Sequence, residues 1–224
     1  MMRDVLEIQV ESDIESFPVL IDEPVGTSQG VLVLAPGAGS NSGSKGVLRL
    51  RDAMLSVDLV VARFDFPYRR AGKSIPDPMP KLMASYKAVV LGIKSHLKPE
   101  RLICGGHSMG GRVASMLAAR DGAELFDALL LFSYPLHPAG QQQKMRDQHL
   151  PNITIPTLCF NGTEDELCQL DLMNGVLPRL APSWTMHWLQ GADHSYGVRA
   201  SSGRKAADVY REVADATCEW LLGC

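Results

Sequence analysis

The pentapeptide Gly106-His107-Ser108-Met109-Gly110 constrains the fold of this 224-residue chain more than any other feature. An apolar stretch, Arg101-Leu102-Ile103-Cys104-Gly105, precedes it and reads as a short buried strand. Gly111-Arg112-Val113-Ala114-Ser115-Met116-Leu117-Ala118-Ala119 follows it and reads as a helix. A strand that passes into a helix through G-x-S-x-G must turn sharply. A Cβ two residues before or after the serine would strike the neighbouring strand or helix, so glycine stands at both places. The serine hydroxyl is then held up at the carboxyl end of a sheet. The next backbone N–H, that of Met109, lies at the helix N-terminus, where the dipole favours negative charge. Glycine and serine also meet by chance, so the rest of the chain decides whether the pentapeptide carries chemistry.

Strand-like and helix-like segments alternate along the chain. Residues 5–11 and 18–22 read as an opening hairpin. Gly30–Ala35 is a continuous apolar run of the kind a fully buried strand shows. A Gly/Ser-rich turn over 36–46 leads to a helix over 47–55, then a strand at Leu59–Phe64. The spacing of Leu82, Tyr86, Val89, Val90, Ile93 and Leu97 predicts the longest helix, 81–97. Strands follow at Ala128–Phe132 and 157–160, a helix at 171–180, a last strand at 183–189 and an amphipathic helix at 205–222. Strands separated by helices predict an α/β class: a doubly wound, mostly parallel sheet flanked by helices. No repeat, low-complexity tract or linker interrupts it, so residues 1–224 read as a single domain. The polar stretch 138–149, with Gln141, Gln142 and Gln143, is too short for a lid domain, which predicts little or no lid.

Composition excludes several classes. With 46% hydrophobic and 21% charged residues the chain reads as soluble and globular. A net charge of −3 speaks against a nucleic-acid-binding surface. Arg3, Asp4 and Glu7 break up the first ten residues, so they do not read as a signal peptide, and no apolar run reaches the ~18 residues of a membrane span. Five cysteines (Cys104, Cys159, Cys168, Cys218 and Cys224) without a C-x-x-C pair predict reduced thiols and a cytoplasmic location.

In a doubly wound sheet the loops beyond the strand carboxyl ends carry the chemistry, and three of them complete a constellation with Ser108. Pro36-Gly37-Ala38-Gly39-Ser40 stands where a second oxyanion donor is needed, and the Ala38 N–H is the candidate beside that of Met109. A flexible Gly/Ser connection is the other reading of the same residues. Asn161-Gly162-Thr163-Glu164-Asp165 supplies a carboxylate to orient an imidazole; Asp165 is the candidate, with Glu164, Glu166 and Asp171 as alternatives. Gly191-Ala192-Asp193-His194-Ser195 supplies the base, His194. His107 adjoins the serine and is expected to point away. His96 falls on the long helix, His187 within a strand, and His137 and His149 flank the polar loop. Gly72-Lys73-Ser74 fails as a phosphate-binding loop because Pro67 holds the earlier glycine position. No metal-ligand spacing is present, so neither metal nor cofactor is expected.

The order Ser108, Asp165, His194 is that of the α/β hydrolases, and the chain resembles a compact member of that superfamily similar to the dienelactone hydrolase group. That group uses cysteine where Ser108 stands, so its lactone chemistry is not implied. A closer likeness is to the family of a testis-expressed hydrolase-like protein and the third subunit of the NSL histone acetyltransferase complex. It is carried by Leu34-Ala35-Pro36-Gly37-Ala38-Gly39, Phe64-Asp65-Phe66-Pro67-Tyr68, Pro76-Asp77-Pro78, Gly105-Gly106-His107-Ser108-Met109-Gly110-Gly111-Arg112, Asp193-His194-Ser195 and Ser201-Ser202-Gly203-Arg204. His107 departs from the Arg or Lys the family is expected to hold there. Phe66, Tyr68, Arg69 and Arg70 form either an aromatic and cationic wall of the site or a structural loop with surface arginines, so Tyr68 and Arg69, with Gly37, are candidate substrate contacts. The function these readings imply is that of a carboxylesterase-type serine hydrolase acting on an ester or thioester of a small molecule, without cofactor. A catalytically silent binding scaffold and an acyltransferase with the same triad are the alternatives.

Overall fold

Tight apolar strands with almost no polar interruption build the centre of the molecule, as burial on both faces requires. The structure, a computed structural model, describes residues 6–10 and 16–223. In chain order its elements are β1 (Leu6–Val10), β2 (Phe17–Asp22), β3 (Gly30–Ala35), α1 (Lys45–Leu55), β4 (Leu59–Phe64), α2 (Pro67–Arg70) and α3 (Met79–Leu97). There follow β5 (Leu102–His107), α4 (Met109–Leu125), β6 (Ala128–Phe132), β7 (Thr157–Gly162), α5 (Leu170–Val176), β8 (Trp184–Leu189) and α6 (Ala206–Leu222). The strands form one sheet in the order β1-β2-β4-β3-β5-β6-β7-β8. β1 and β2 pair antiparallel with each other, β2 pairs antiparallel with β4, and every other pairing is parallel.

Alternation along the strands divides the core between two faces. Val31, Val33 and Ala35 pack with α3 and α4, whereas Leu32 and Leu34 pack with α1 and α6. From β3 the chain steps to β4 on one side, then returns to place β5 on the other. The carboxyl ends of β3 and β5 are therefore the switch point of the sheet, where a crevice must open. The loop from Pro36 and the turn at Ser108 border it.

Several boundaries differ from the expected ones. Residues 5 and 11 of the expected hairpin lie outside the described residues. α3 starts at Met79 because Pro80 is tolerated in a first turn. The expected helix over 171–180 stops at Val176 and tightens into a 3-10 turn at Leu177–Arg179, where Pro178 removes a donor. The short helix α2, which starts on Pro67, was not expected at all. Residues 138–149 hold no helix and run on into a 3-10 turn at Leu150–Asn152.

Candidate active site

Ser108 sits between β5 and α4 with φ 52° and ψ −115°, a conformation non-glycine residues rarely take. The turn leaves no room for side chains around it. A Cβ on Gly106 would lie 2.7 Å from Ala35 O, and one on Gly110 would lie 2.4 Å from the same oxygen. The Ser108 N–H is tied to Phe132 O at 2.8 Å, and its carbonyl accepts the Arg112 N–H at 3.0 Å. Backbone and glycines together leave Oγ one place to go.

That place is beside an imidazole. Ser108 Oγ and His194 Nε2 are 2.8 Å apart. His194 Nδ1 donates to Asp165, with both carboxylate oxygens at 2.9 Å. Asp165 is 3% exposed and is itself fixed: Asn161 Nδ2 donates to Oδ2 at 3.0 Å, and the Leu167 N–H donates to Oδ1 at 2.8 Å. Gly162 lets this loop close, since a Cβ there would fall 1.9 Å from Ala192 O. Of the alternative acids, Glu164 pairs with Arg199 at 3.0 Å, while Glu166 and Asp171 are exposed. Among the described residues only Asp165 reaches His194.

The other histidines are engaged elsewhere. His187 bonds Glu212, His96 bonds Gly92 O, His149 bonds Ser115, and His137 is buried against Pro138 O. His107 corrects the expectation that it points away. Its ring lies 5.3 Å from that of His194, and Nε2–H donates to His194 O at 3.0 Å. Burial and the neighbouring His194 push its pKa down to about 4, so it stands as a neutral clamp on the main chain of His194.

The Pro36–Ser40 segment closes on the serine. A Cβ on Gly37 would lie 3.2 Å from His107 Nδ1 and 3.4 Å from Ser108 Cβ. Ala38 and Gly39 line the crevice with Ser108. Tyr68 corrects the expected substrate wall: it is 1% exposed, and its hydroxyl donates to Ala38 O at 2.7 Å. It anchors the Ala38 peptide from beneath. Arg69 Nη1 donates to Lys73 O, away from the lining of the crevice. Sequence reasoning missed His107 and Tyr68 as supports because each acts on an atom far away in the chain, and Asn161 because only the turn after β7 brings its amide onto Asp165.

Two cavities meet at Ser108. One, of about 550 Å³, includes His194, Ser195, Arg49 and Tyr210 in its walls. The other, of about 410 Å³, includes Met109, Met79, Arg112, Pro135 and Arg146. Ala38, Ser108 and Leu167 belong to both. Among the described residues no group of His, Cys, Asp or Glu could hold a metal ion. Cys104, Cys159 and Cys168 are buried, and burial pushes their thiols up, so they are inert packing.

A parallel sheet with a serine elbow at its switch point and a histidine after its last strand defines the α/β-hydrolase class. The chain belongs to that family: residues 28–222 match the family model described as alpha/beta hydrolase domain. Solved structures agree on the fold. An alpha-beta serine hydrolase homologue from Coxiella burnetii has a TM-score of 0.75 at 17% identity, over 97% of this chain and 98% of that one. Dienelactone hydrolase from Anabaena variabilis gives 0.76 at 18%, over 98% and 97%. XC6422 from Xanthomonas campestris, a serine hydrolase without lid, gives 0.72 at 17%, over 97% and 95%. No described helix is long and apolar enough to cross a membrane.

Proposed function

We propose that this chain is a cytoplasmic serine hydrolase that cleaves a carboxylic ester or thioester of a small molecule through Ser108, His194 and Asp165. The observation that carries the reading is the unbroken relay from Ser108 Oγ to His194 Nε2 and from His194 Nδ1 to Asp165, at 2.8 and 2.9 Å. Ser108 Oγ attacks the carbonyl carbon as its proton passes to His194 Nε2. The Met109 and Ala38 N–H groups take the oxyanion, in a crevice where such donors need no reorganisation. The bond to the leaving oxygen or sulfur breaks as His194 returns the proton to it. Water then adds to the acyl-enzyme by the same relay, which frees Ser108 and the acid. Asp165 fixes the tautomer and orientation of His194 throughout. Neither metal nor cofactor enters the cycle.

The leaving atom must receive its proton from His194, so the alcohol or thiol part lies in the cavity that His194 lines. The acyl part then occupies the cavity on the Met109 side. The structural neighbours include two serine hydrolases and a dienelactone hydrolase, which supports ester chemistry. The residue blocks shared with the testis-expressed hydrolase-like family point to that branch.

Treating the protein with a fluorophosphonate and mapping the adduct tests the reading without a substrate guess. Ser108 is expected to label, and labelling is expected to vanish in Ser108→Ala and His194→Ala. Ser108→Ala is expected to lower kcat on an activated ester by about 10⁴–10⁶. A folded wild type that neither labels nor turns over any ester leaves the scaffold reading in its place.

A further inference from the structure

The cavity of about 410 Å³ beside Ser108 carries a charge that the described residues do not balance. Arg112 and Arg146 both stand in its wall, among Met79, Met109, Pro135 and Leu167. Among the described residues neither guanidinium forms an ion pair with a carboxylate. Arg112 Nε is sealed from solvent with no hydrogen-bond partner. Arg146 has one weak contact, Nη1 to Pro135 O at 3.4 Å. Asp77 is the one acid in this wall, and its Oδ1 is held by Lys81 Nζ at 3.1 Å. The two cations feel each other: burial and then the Arg112 charge lower the pKa of Arg146. Burial and the same Arg112 charge press His149, behind the wall, down to about 4. His149 is therefore neutral, and Asp147 beside it is occupied by Arg179.

Two half-buried guanidiniums held near each other, neither paired with an acid, are unfavourable alone. A ligand carboxylate would supply the missing partner through charge-assisted, forked hydrogen bonds, for which arginine is better shaped than lysine. We infer that the cavity on the Met109 side of Ser108 takes an acyl group ending in a carboxylate, so that the substrate is a monoester or monothioester of a short dicarboxylic acid. This rests on the serine hydrolase reading, which fixes that side of Ser108 as the acyl side. Position sets the length. Arg112 stands four residues beyond Ser108, about 6 Å along α4 at ~1.5 Å per residue, and helix side chains lean back towards the N-terminus, which suits a diacid of roughly four to six carbons. The apolar residues of the wall would pack against the methylenes between the two carbonyls. Hydrolysis of such a substrate transfers the acyl group to Ser108 and then to water, and the products are the alcohol or thiol and the free diacid.

The test compares three esters on the full chain, with the enzyme-free rate subtracted: the mono-4-nitrophenyl ester of glutaric acid, 4-nitrophenyl pentanoate, and the pentanoate of 4-hydroxybenzoic acid. Hydrogen bonds between charged groups of this kind predict a kcat/KM for the glutarate roughly tenfold or more above that for the pentanoate. The ratio is expected to fall towards one in Arg112→Gln and in Arg146→Gln, and to persist in Arg112→Lys only in part. A wild-type ratio at or below one, with Ser108 labelled by fluorophosphonate, overturns the inference and leaves the hydrolase reading standing. A preference that follows the carboxylate on the alcohol instead overturns the assignment of this cavity to the acyl group. A ratio that survives both glutamine variants overturns the role of the two arginines. Absence of labelling and of any turnover removes the hydrolase reading and this inference with it. The wild-type comparison needs no variant, so poor folding of a variant does not shield the inference.

Discussion

Ser108 is held at φ 52°, a backbone state that costs about 1–3 kcal/mol for a residue with a side chain, and the strand–turn–helix around it absorbs that cost. The gain is an Oγ aimed at one nitrogen. The same economy of direction governs Asp165, whose oxygens face His194, Asn161 and the Leu167 N–H and no solvent. Asp165→Asn keeps the shape but favours the wrong tautomer of His194. It is expected to lower kcat by roughly 10³–10⁴ with the fold intact, as kinetics beside circular dichroism would reveal. His107 and His149 give the site a pH sensitivity of its own. Their folded pKa values, about 4, lie below the ordinary histidine value of 6.5. In both cases burial is the largest cause. Protons therefore bind the unfolded chain first as the pH falls. The stability these neutral rings contribute is whole above pH 6.5 and is lost between about 6.5 and 4. Thermal melts from pH 8 to 4.5 are expected to show Tm falling over that window, and less steeply in His149→Gln. A Tm independent of pH across it would contradict the buried, neutral state of both rings. At this scale the sequence was informative where chemistry is local. The G-x-S-x-G spacing exposed Ser108, but nothing near Tyr68 tells that its hydroxyl reaches Ala38 O, 30 residues upstream.

At the scale of elements, the site depends on how β3 and β5 lie side by side. Tyr86 from α3 inserts its ring beneath them, and its hydroxyl accepts the Gly105 N–H at 2.8 Å and donates to Val33 O at 2.8 Å. Gly105 cannot be replaced by anything with a Cβ, because Leu130 O would lie 2.0 Å away. Tyr86→Phe removes that hydroxyl from a sealed position where it ties Gly105 to Val33. It is expected to cost about 1–3 kcal/mol, a fall in Tm of roughly 3–10 °C, by differential scanning calorimetry. A smaller change would mean that the β3–β5 ladder holds without that hydroxyl. The strands were readable because each is a short apolar run of β-formers, and the long helices because their apolar positions recur at helical spacing. α2 was not readable: four residues, Pro67–Arg70, carry no period, and the helix exists because it docks Phe66 and Tyr68 under the crevice. The end of α5 was missed for a related reason, since the apolar pattern runs on while Pro178 ends the hydrogen bonding.

For the molecule as a whole, one sheet of eight strands with a core on each face predicts a single cooperative unit. Far-ultraviolet circular dichroism and tryptophan fluorescence are expected to report one coincident melting transition, and two separated transitions would divide the chain into units. Asp22 binds the sheet to its cover: Arg63 Nε and Arg51 Nη1 reach it at 2.7 and 3.3 Å, from β4 and α1. By itself the sequence determined the alternation of strand and helix, the parallel class of the sheet and the three loops that carry Ser108, Asp165 and His194, because those follow from hydrophobic period, glycine at tight turns and the order of motifs, all short-range properties. Only the tertiary structure decided which carboxylate among four meets His194, that His107 turns inward, that Tyr68 supports instead of lining, and that Arg112 and Arg146 share one wall. Those facts depend on distances between residues far apart in the chain, and such distances exist only once the sheet has closed on its helices.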